Sequence, residues 1–262
     1  LFFFTHKPAY EMLRSLVGSE MCIRDRGIWV VSMGHLMGLF DENWLGIPAT
    51  HKLIMLRYCE FNKIEKEKII ETAMFFDIPH LMVQAGIKPF TSQTAAHLVQ
   101  PGPRTHDGLL FEKQDEKEGK KTKEAIESMV SDLQDWKSFD HESLKNELKQ
   151  SWNDDMIWLG PPGFGDIHGI ENFKYKVLKP FYEAFPDYNV KNDIVVAEGD
   201  WISATGYLTG THSGTYLGIE PTGKAIKMQF SDFWTIKNGK FMDNYVMVDN
   251  HGVFEQMGLS FK

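Results

Sequence analysis

Asp232 interrupts a run in which every second residue is apolar: Ile226, Met228, Phe230, Asp232, Trp234 and Ile236. Residues two apart on a strand share a face, so the acid sits in the middle of an apolar surface. The opposite face carries Lys227, Gln229, Ser231, Phe233, Thr235 and Lys237 and is largely polar. A carboxylate on an apolar surface must be hydrogen-bonded, open onto a hydrated cavity, or hold its proton more tightly than usual. A general base working near neutral pH needs that setting. A structural Asp bonded to a neighbouring Tyr, Trp or backbone group is the alternative. Asp249 is the second carboxylate, at the end of the following strand on the parity of Phe241, Tyr245 and Met247. It reads either as a base or as the N-cap of a short helix over Val253–Met257.

Two histidines and two tryptophans belong to the same survey. His212, in Gly210-Thr-His-Ser-Gly214, occupies a glycine-flanked bend from which a side chain could reach a substrate, and His168 lies at the start of a long helix. Trp152 and Trp158 flank Asn153-Asp154-Asp155. A lone His more often has a structural role, and a Trp is more often core than ligand stack. No His pair stands at metal-ligand spacing, and Gly163-Phe-Gly165 lacks the rest of a dinucleotide fingerprint. Neither a Walker-type loop nor a Gly-x-Ser-x-Gly elbow is present. The expectation is chemistry without metal or cofactor.

The elements that must position these groups are legible in the patterning. Thr122–Trp136 predicts an amphipathic helix, with Ala125, Ile126, Met129, Val130 and Leu133 on one stripe, and Glu142–Lys149 continues helical. Met156–Leu159 predicts a short strand ended by Gly160-Pro161-Pro162-Gly163. Gly169–Phe185 predicts a helix stopped by Pro186. Strands follow near Asn189–Glu198, Trp201–Gly210, Ala225–Lys237 and Lys240–Asp249, the last two joined by the hairpin signal Asn238-Gly239. Helices followed by long antiparallel strands indicate an α+β fold with helices packed on one curved sheet.

The chain also repeats itself. Trp29–Gly86 aligns without gaps on Trp201–Gly258 at an offset of 172, and 16 of the 58 positions are identical, far above the few that residue usage alone would give. The repeat places Glu60 where the second copy has Asp232, within Ile54, Leu56, Tyr58, Glu60, Asn62 and Ile64. The expected organisation is a non-native segment over 1–26, an incomplete first copy over 27–111, a charged linker over 112–121 and a complete second copy over 122–262. Leu16–Arg26 resembles a translated sequencing adapter and has no clean periodicity. Within the linker region Glu112–Glu124 is dense in Glu and Lys and reads as solvated.

Composition narrows the classes. The 262 residues carry a net charge of −8, which disfavours a phosphate backbone as partner. No apolar run approaches the length that spans a bilayer. Two cysteines make no disulfide scaffold, and with no recognisable signal peptide a reducing cytoplasm is the default expectation. Aromatic residues at 13% fit a large core or an aromatic-lined pocket.

The stretches Trp152-Asn-Asp-Asp155, Trp158-Leu-Gly-Pro-Pro-Gly-Phe-Gly165, His168-Gly-Ile-Glu-Asn-Phe173, Pro180-Phe-Tyr-Glu-Ala-Phe-Pro-Asp187, Glu198-Gly-Asp-Trp201, Gly210-Thr-His-Ser-Gly214, Pro221-Thr-Gly-Lys224, Asp232-Phe-Trp234 and Asn244-Tyr-Val-Met-Val-Asp249 resemble the SnoaL-like polyketide cyclases of the nuclear-transport-factor-2-like superfamily. The resemblance spans 125–258 and, more faintly, 29–86. It implies a cone-shaped fold, present twice, whose bent sheet wraps an apolar pocket. It also implies cofactor-free chemistry, in which an Asp takes a proton from a carbon flanked by carbonyls and the enolate closes a ring. By position Asp249 matches the family's acid/base Asp and Asp232 a second acid, with His212 as orienting partner. Trp152, Trp158, His168, Phe181, Phe230, Trp234, Asn244 and Tyr245 become the expected substrate contacts. Asn244 stands where many relatives have His, and Val246 where some have an acid. In the first copy Asp77 matches, Glu60 replaces Asp and Phe40 replaces His212. Lacking its front half, that copy is expected to be inactive.

Two functions follow from different classes: an enzyme acting on a small apolar carbonyl compound (ring closure, isomerisation or ester-cyclase type), or a non-catalytic binding or dimerisation module. The fold can dimerise through its sheet, as a homodimer or as an intrachain pseudo-dimer. Lys227, Gln229 and Thr235 on the outer face predict a polar, modest contact. An enzyme predicts Asp232 and Asp249 lining one pocket, at least one of them perturbed; a binder predicts Asp249 in solvent or capping a helix, with nothing titratable deep in the cavity.

Overall fold

A computed structural model describes residues 28–90, 99–104, 108, 110, 114–135 and 148–259. The first 27 residues, and most of Glu142–Lys149, lie outside the described residues. The elements are β1 (Ile28–Leu39), β2 (Leu53–Glu65), β3 (Lys68–Phe76), α1 (Ile78–Gln84), α2 (Glu116–Asp135), β4 (Trp152–Leu159), β5 (Asp166–His168), α3 (Ile170–Phe173), α4 (Lys179–Ala184), β6 (Asn189–Glu198), β7 (Trp201–Thr211), β8 (Ala225–Lys237), β9 (Lys240–Val248) and α5 (Asn250–Met257). The architecture is α+β. The C-terminal sheet has six strands in the order β5-β4-β9-β8-β7-β6, antiparallel except for β4 beside β9. The N-terminal sheet has three, β1-β2-β3.

The repeat is partly visible in the structure. An offset of 172 carries β2 onto β8 and β3 onto β9 from end to end. Several identical pairs have structural tasks in both places. Trp44 bridges Ile47 as Tyr216 bridges Ile219, around turns in which Leu45 and Leu217 take positive φ. Gln84 clamps both the N–H and the carbonyl of Met55, and Gln256 clamps those of Lys227 in the same way.

Local chemistry explains the elements. Asn238 and Gly239 both have positive φ, the conformation a two-residue hairpin of type I′ requires. The long helix expected over Gly169–Phe185 is present but interrupted. Between α3 and α4, Lys174–Leu178 forms a π-helical turn in which Lys179 N–H reaches back to Lys174 C=O. Pro180 lies just beyond; without an N–H and with a ring that crowds the preceding turn, it cannot continue a regular α-helical ladder. Register shifts at Asn192/Ile194 and Trp234/Ile236 bend the sheet so that one face is concave. Within the charged stretch between the copies, α2 begins at Glu116, so most of that stretch is helical. Thr122 Oγ1 ties this helix to Gly199 C=O at 2.7 Å.

Two apolar clusters cover the concave face. One joins Ile202, Ala204, Trp234, Ile236 and Val246 to Phe173, Val177, Trp152 and Trp158. The other joins Leu208, Ile226 and Met228 to Phe185, Val253 and Phe254. A third cluster lies on the opposite face and holds the two sheets together: Trp29, Val31, Cys59 and Phe61 pack against Trp201, Phe233 and Tyr245. The expectation of a polar contact there is therefore corrected. Phe61 meets its repeat equivalent Phe233 with centroids 6.0 Å apart, so the two outer faces pack on equivalent residues.

Candidate active site

Strand register decides which residues Asp232 sees. Its direct partners are Ala204 on β7 and Val246 on β9, and its same-face neighbours along β8 are Phe230 and Trp234. Asp232 and Phe230 lie between the two concave clusters and are only half-buried, whereas Trp234 is buried. Asn244 Nδ2 donates to Asp232 Oδ1 at 3.1 Å and to Phe233 C=O at 3.2 Å. Burial, opposed by the Asn244 hydrogen bond, pushes the Asp232 carboxyl up to about 7. An acid with that midpoint is present in both protonation states at neutral pH, which suits a group that must accept and return a proton. Phe164, Tyr182 and Val248 are half-buried beside this face and went unnoticed in the sequence. Val248 could have been found from its parity with Val246.

Asp249 is elsewhere. It caps α5, with Oδ1 accepting the Gly252 N–H at 2.8 Å, and it is exposed. Period-2 alternation is the reason. On β9 the concave set is Asn244, Val246 and Val248, so Tyr245 and Met247 face outward. Asp249 shares their parity and points away from Asp232. The two carboxylates therefore do not share a cavity. Replacing Asp249 with Ala should cost about 1 kcal/mol in urea unfolding, while Asn, an equally good cap, should cost almost nothing.

The remaining expected contacts divide. His212 is fully buried; its Nδ1 contacts Thr222 Oγ1 at 3.1 Å and its ring lies against Phe185. Burial pulls it below the usual histidine value, which favours the neutral ring. It follows β7 eight residues beyond Ala204, the partner of Asp232, or about 26 Å of strand, so the orienting role is corrected to a structural one. Tyr245 is also corrected: its hydroxyl donates to Pro101 C=O at 3.0 Å and its ring stacks near Trp201. Trp152 is packed between Phe173 and Phe241, and Trp158 against Phe164 and Phe173, all within the concave core. His168 ends β5 and is exposed. Phe181 is half-buried on α4 against Phe185 and Tyr188. Among the described residues, no three His, Cys, Asp or Glu side chains are grouped to hold a metal, and no helix is long and apolar enough to cross a membrane.

Solved structures similar to the chain include a SnoaL-like protein from Jannaschia sp. CCS1, at 17% identity over 57% of this chain and 99% of that one, with a TM-score of 0.47. TsrD from Streptomyces laurentii is 20% identical over 53% of this chain and 96% of its own, with a TM-score of 0.44. An NTF2-like protein from Burkholderia xenovorans LB400 is 14% identical over 53% and 97%, with a TM-score of 0.41. No curated protein matches. The model of the SnoaL-like polyketide cyclase family matches residues 130–257, which contain β4 to β9 and the Asp232–Asn244 pair. This part of the chain is similar to the SnoaL-like polyketide cyclase family.

Proposed function

We propose that the C-terminal unit binds a small apolar carbonyl compound on its concave face and moves a proton there with Asp232, without a cofactor. The observation that supports this reading most is the placement of one half-buried carboxyl, with its midpoint near 7, on an otherwise apolar wall. In its ionised form Asp232 takes a proton from a carbon made acidic by flanking carbonyls. Asn244 holds the carboxyl in place through Oδ1. The proton then returns from Asp232 to the product enolate, or the enolate carbon attacks a second carbonyl of the same molecule to close a ring and the alkoxide formed there takes the proton back from Asp232. Aromatic groups around the face (Phe164, Phe230, Tyr182) supply apolar contact and exclude water. The test is deuterium uptake by a cyclic 1,3-dicarbonyl probe, with the wild-type chain accelerating exchange and Asp232→Asn not doing so.

The position of Asp249 favours a second reading, a non-catalytic binding module, because the expected partner acid is a helix cap in solvent. Saturable binding of the same probe with no accelerated exchange would select it. We also propose that the N-terminal strands are an incomplete copy of the same domain, packed outer face to outer face as an intrachain pseudo-dimer. The matched pairs Trp29/Trp201 and Phe61/Phe233 in one cluster support that proposal.

A further inference from the structure

A cleft of about 420 Å³ lies between the two sheets, at the ends of β3 and β9, and Asp232 is not among its lining residues. That volume falls within the range of small-molecule pockets, roughly 300–1,000 Å³. Its N-terminal wall is aromatic, with Trp44, Phe75 and Phe76, and Trp44 meets Phe76 edge to face at 6.1 Å. Its other wall carries Gln229, Met247, Val248 and Asp249. Two carboxylates reach it, and they differ. Asp77 is buried and faces Arg57 at 3.5 Å, so its charge is answered. Asp249 spends Oδ1 on the Gly252 N–H, and Oδ2 has no donor among the described residues. No Lys or Arg is among the described residues that line the cleft. The result is one uncompensated negative charge beside aromatic rings. An anion there would meet an unpaired carboxylate; a cation gains both the ion pair and the ring quadrupoles.

We propose that this cleft binds a small organic cation, an amine on an apolar body, with the ammonium on Asp249 and the body against Trp44, Phe75 and Phe76. Asp232 does not line the cleft, which sits where the ends of β3 and β9 meet and takes residues of both strand faces, Met247 and Asp249 from one and Val248 from the other. The cap role of Asp249 and the binding role coexist because they use different oxygens.

Three isosteric probes test it on the full chain by calorimetry or NMR titration: 2-phenylethylamine, 2-phenylethanol and phenylacetate. The amine is expected to bind roughly three- to tenfold tighter than the alcohol, with phenylacetate weakest and the amine's advantage shrinking as salt rises. Asp249→Asn keeps the helix cap and brings the amine down to the level of the alcohol. Gln229→Lys, at an exposed position, weakens the amine and strengthens phenylacetate. Asp232→Asn leaves amine affinity within about twofold of wild type, which separates this cleft from the concave face. Equal binding of amine and alcohol, no saturable amine binding, indifference to Asp249→Asn and Gln229→Lys, or loss of amine binding in Asp232→Asn would each overturn the proposal.

Discussion

Replacing Asp232 with Asn is expected to slow proton exchange on a 1,3-dicarbonyl probe by about 10²–10⁴ at pH 7.5, the range over which a positioned general base acts. The substitution is nearly isosteric and removes only the ability to take up the proton. In the wild-type chain the rate should rise with pH through a midpoint near 7 and then level off, because the ionised carboxyl is the reactive form. Asn244→Leu removes the hydrogen bond that opposes the effect of burial, so the midpoint should move upward. The same residue should leave a mark on stability. Its folded value near 7 lies above the unfolded carboxylate value near 4, so folding favours the protonated form. That stabilisation is complete below about pH 4 and is lost as pH rises through 7, by up to about 4 kcal/mol. Asp232→Asn abolishes this dependence and should be more stable than wild type at pH 8 in urea unfolding. A variant that is more stable and less active is what a functional carboxylate on an apolar wall implies.

The second large effect is expected at Arg57 and Asp77. Arg57 is 1% exposed and its Nη1 lies 3.5 Å from Asp77 Oδ2, while Asp77 Oδ1 caps α1 through the His80 N–H. Burial pulls the guanidinium below its usual value, and pushes Asp77 up to about 6 against the pull of Arg57. Both ions thus resist desolvation, and the pair as a whole contributes little. Removing one member is different, because the other is left buried and charged. Asp77→Ala should cost about 3–5 kcal/mol at pH 7.5, well beyond the ~1 kcal/mol of a lost cap. The double variant Arg57→Met/Asp77→Asn, which removes both charges and keeps a capping side chain, should recover most of that loss. A cost near 1 kcal/mol for Asp77→Ala would mean that the cap alone matters.

Strand alternation and the internal repeat made most of the β architecture legible. The β6 and β8 bounds match the expected segments, and β8 parity places Asp232 on the apolar face as read. What the sequence hid has physical causes. Identity between the copies at Asp77/Asp249 and Gln84/Gln256 reports caps and clamps, not shared chemistry. Asp249 and Tyr245 had the parity of the outer face all along, but which parity is concave depends on β8–β9 pairing, where Asp232 opposes Val246. His212 looked accessible between two glycines; packing on Phe185 and the Thr222 contact make it part of the core. The π-helical turn before Pro180 and the helical start of the charged linker depend on tertiary contacts that apolar periodicity does not report.

Proton transfer on the concave face depends on the Asp232 carboxyl being shielded there from bulk water. Carbon-13 NMR of the aspartate carboxyls, with the Asp232 resonance identified by its loss in Asp232→Asn, measures that directly. A titration midpoint near 7 is expected. A midpoint near 4, the value of a solvated aspartate, would contradict it.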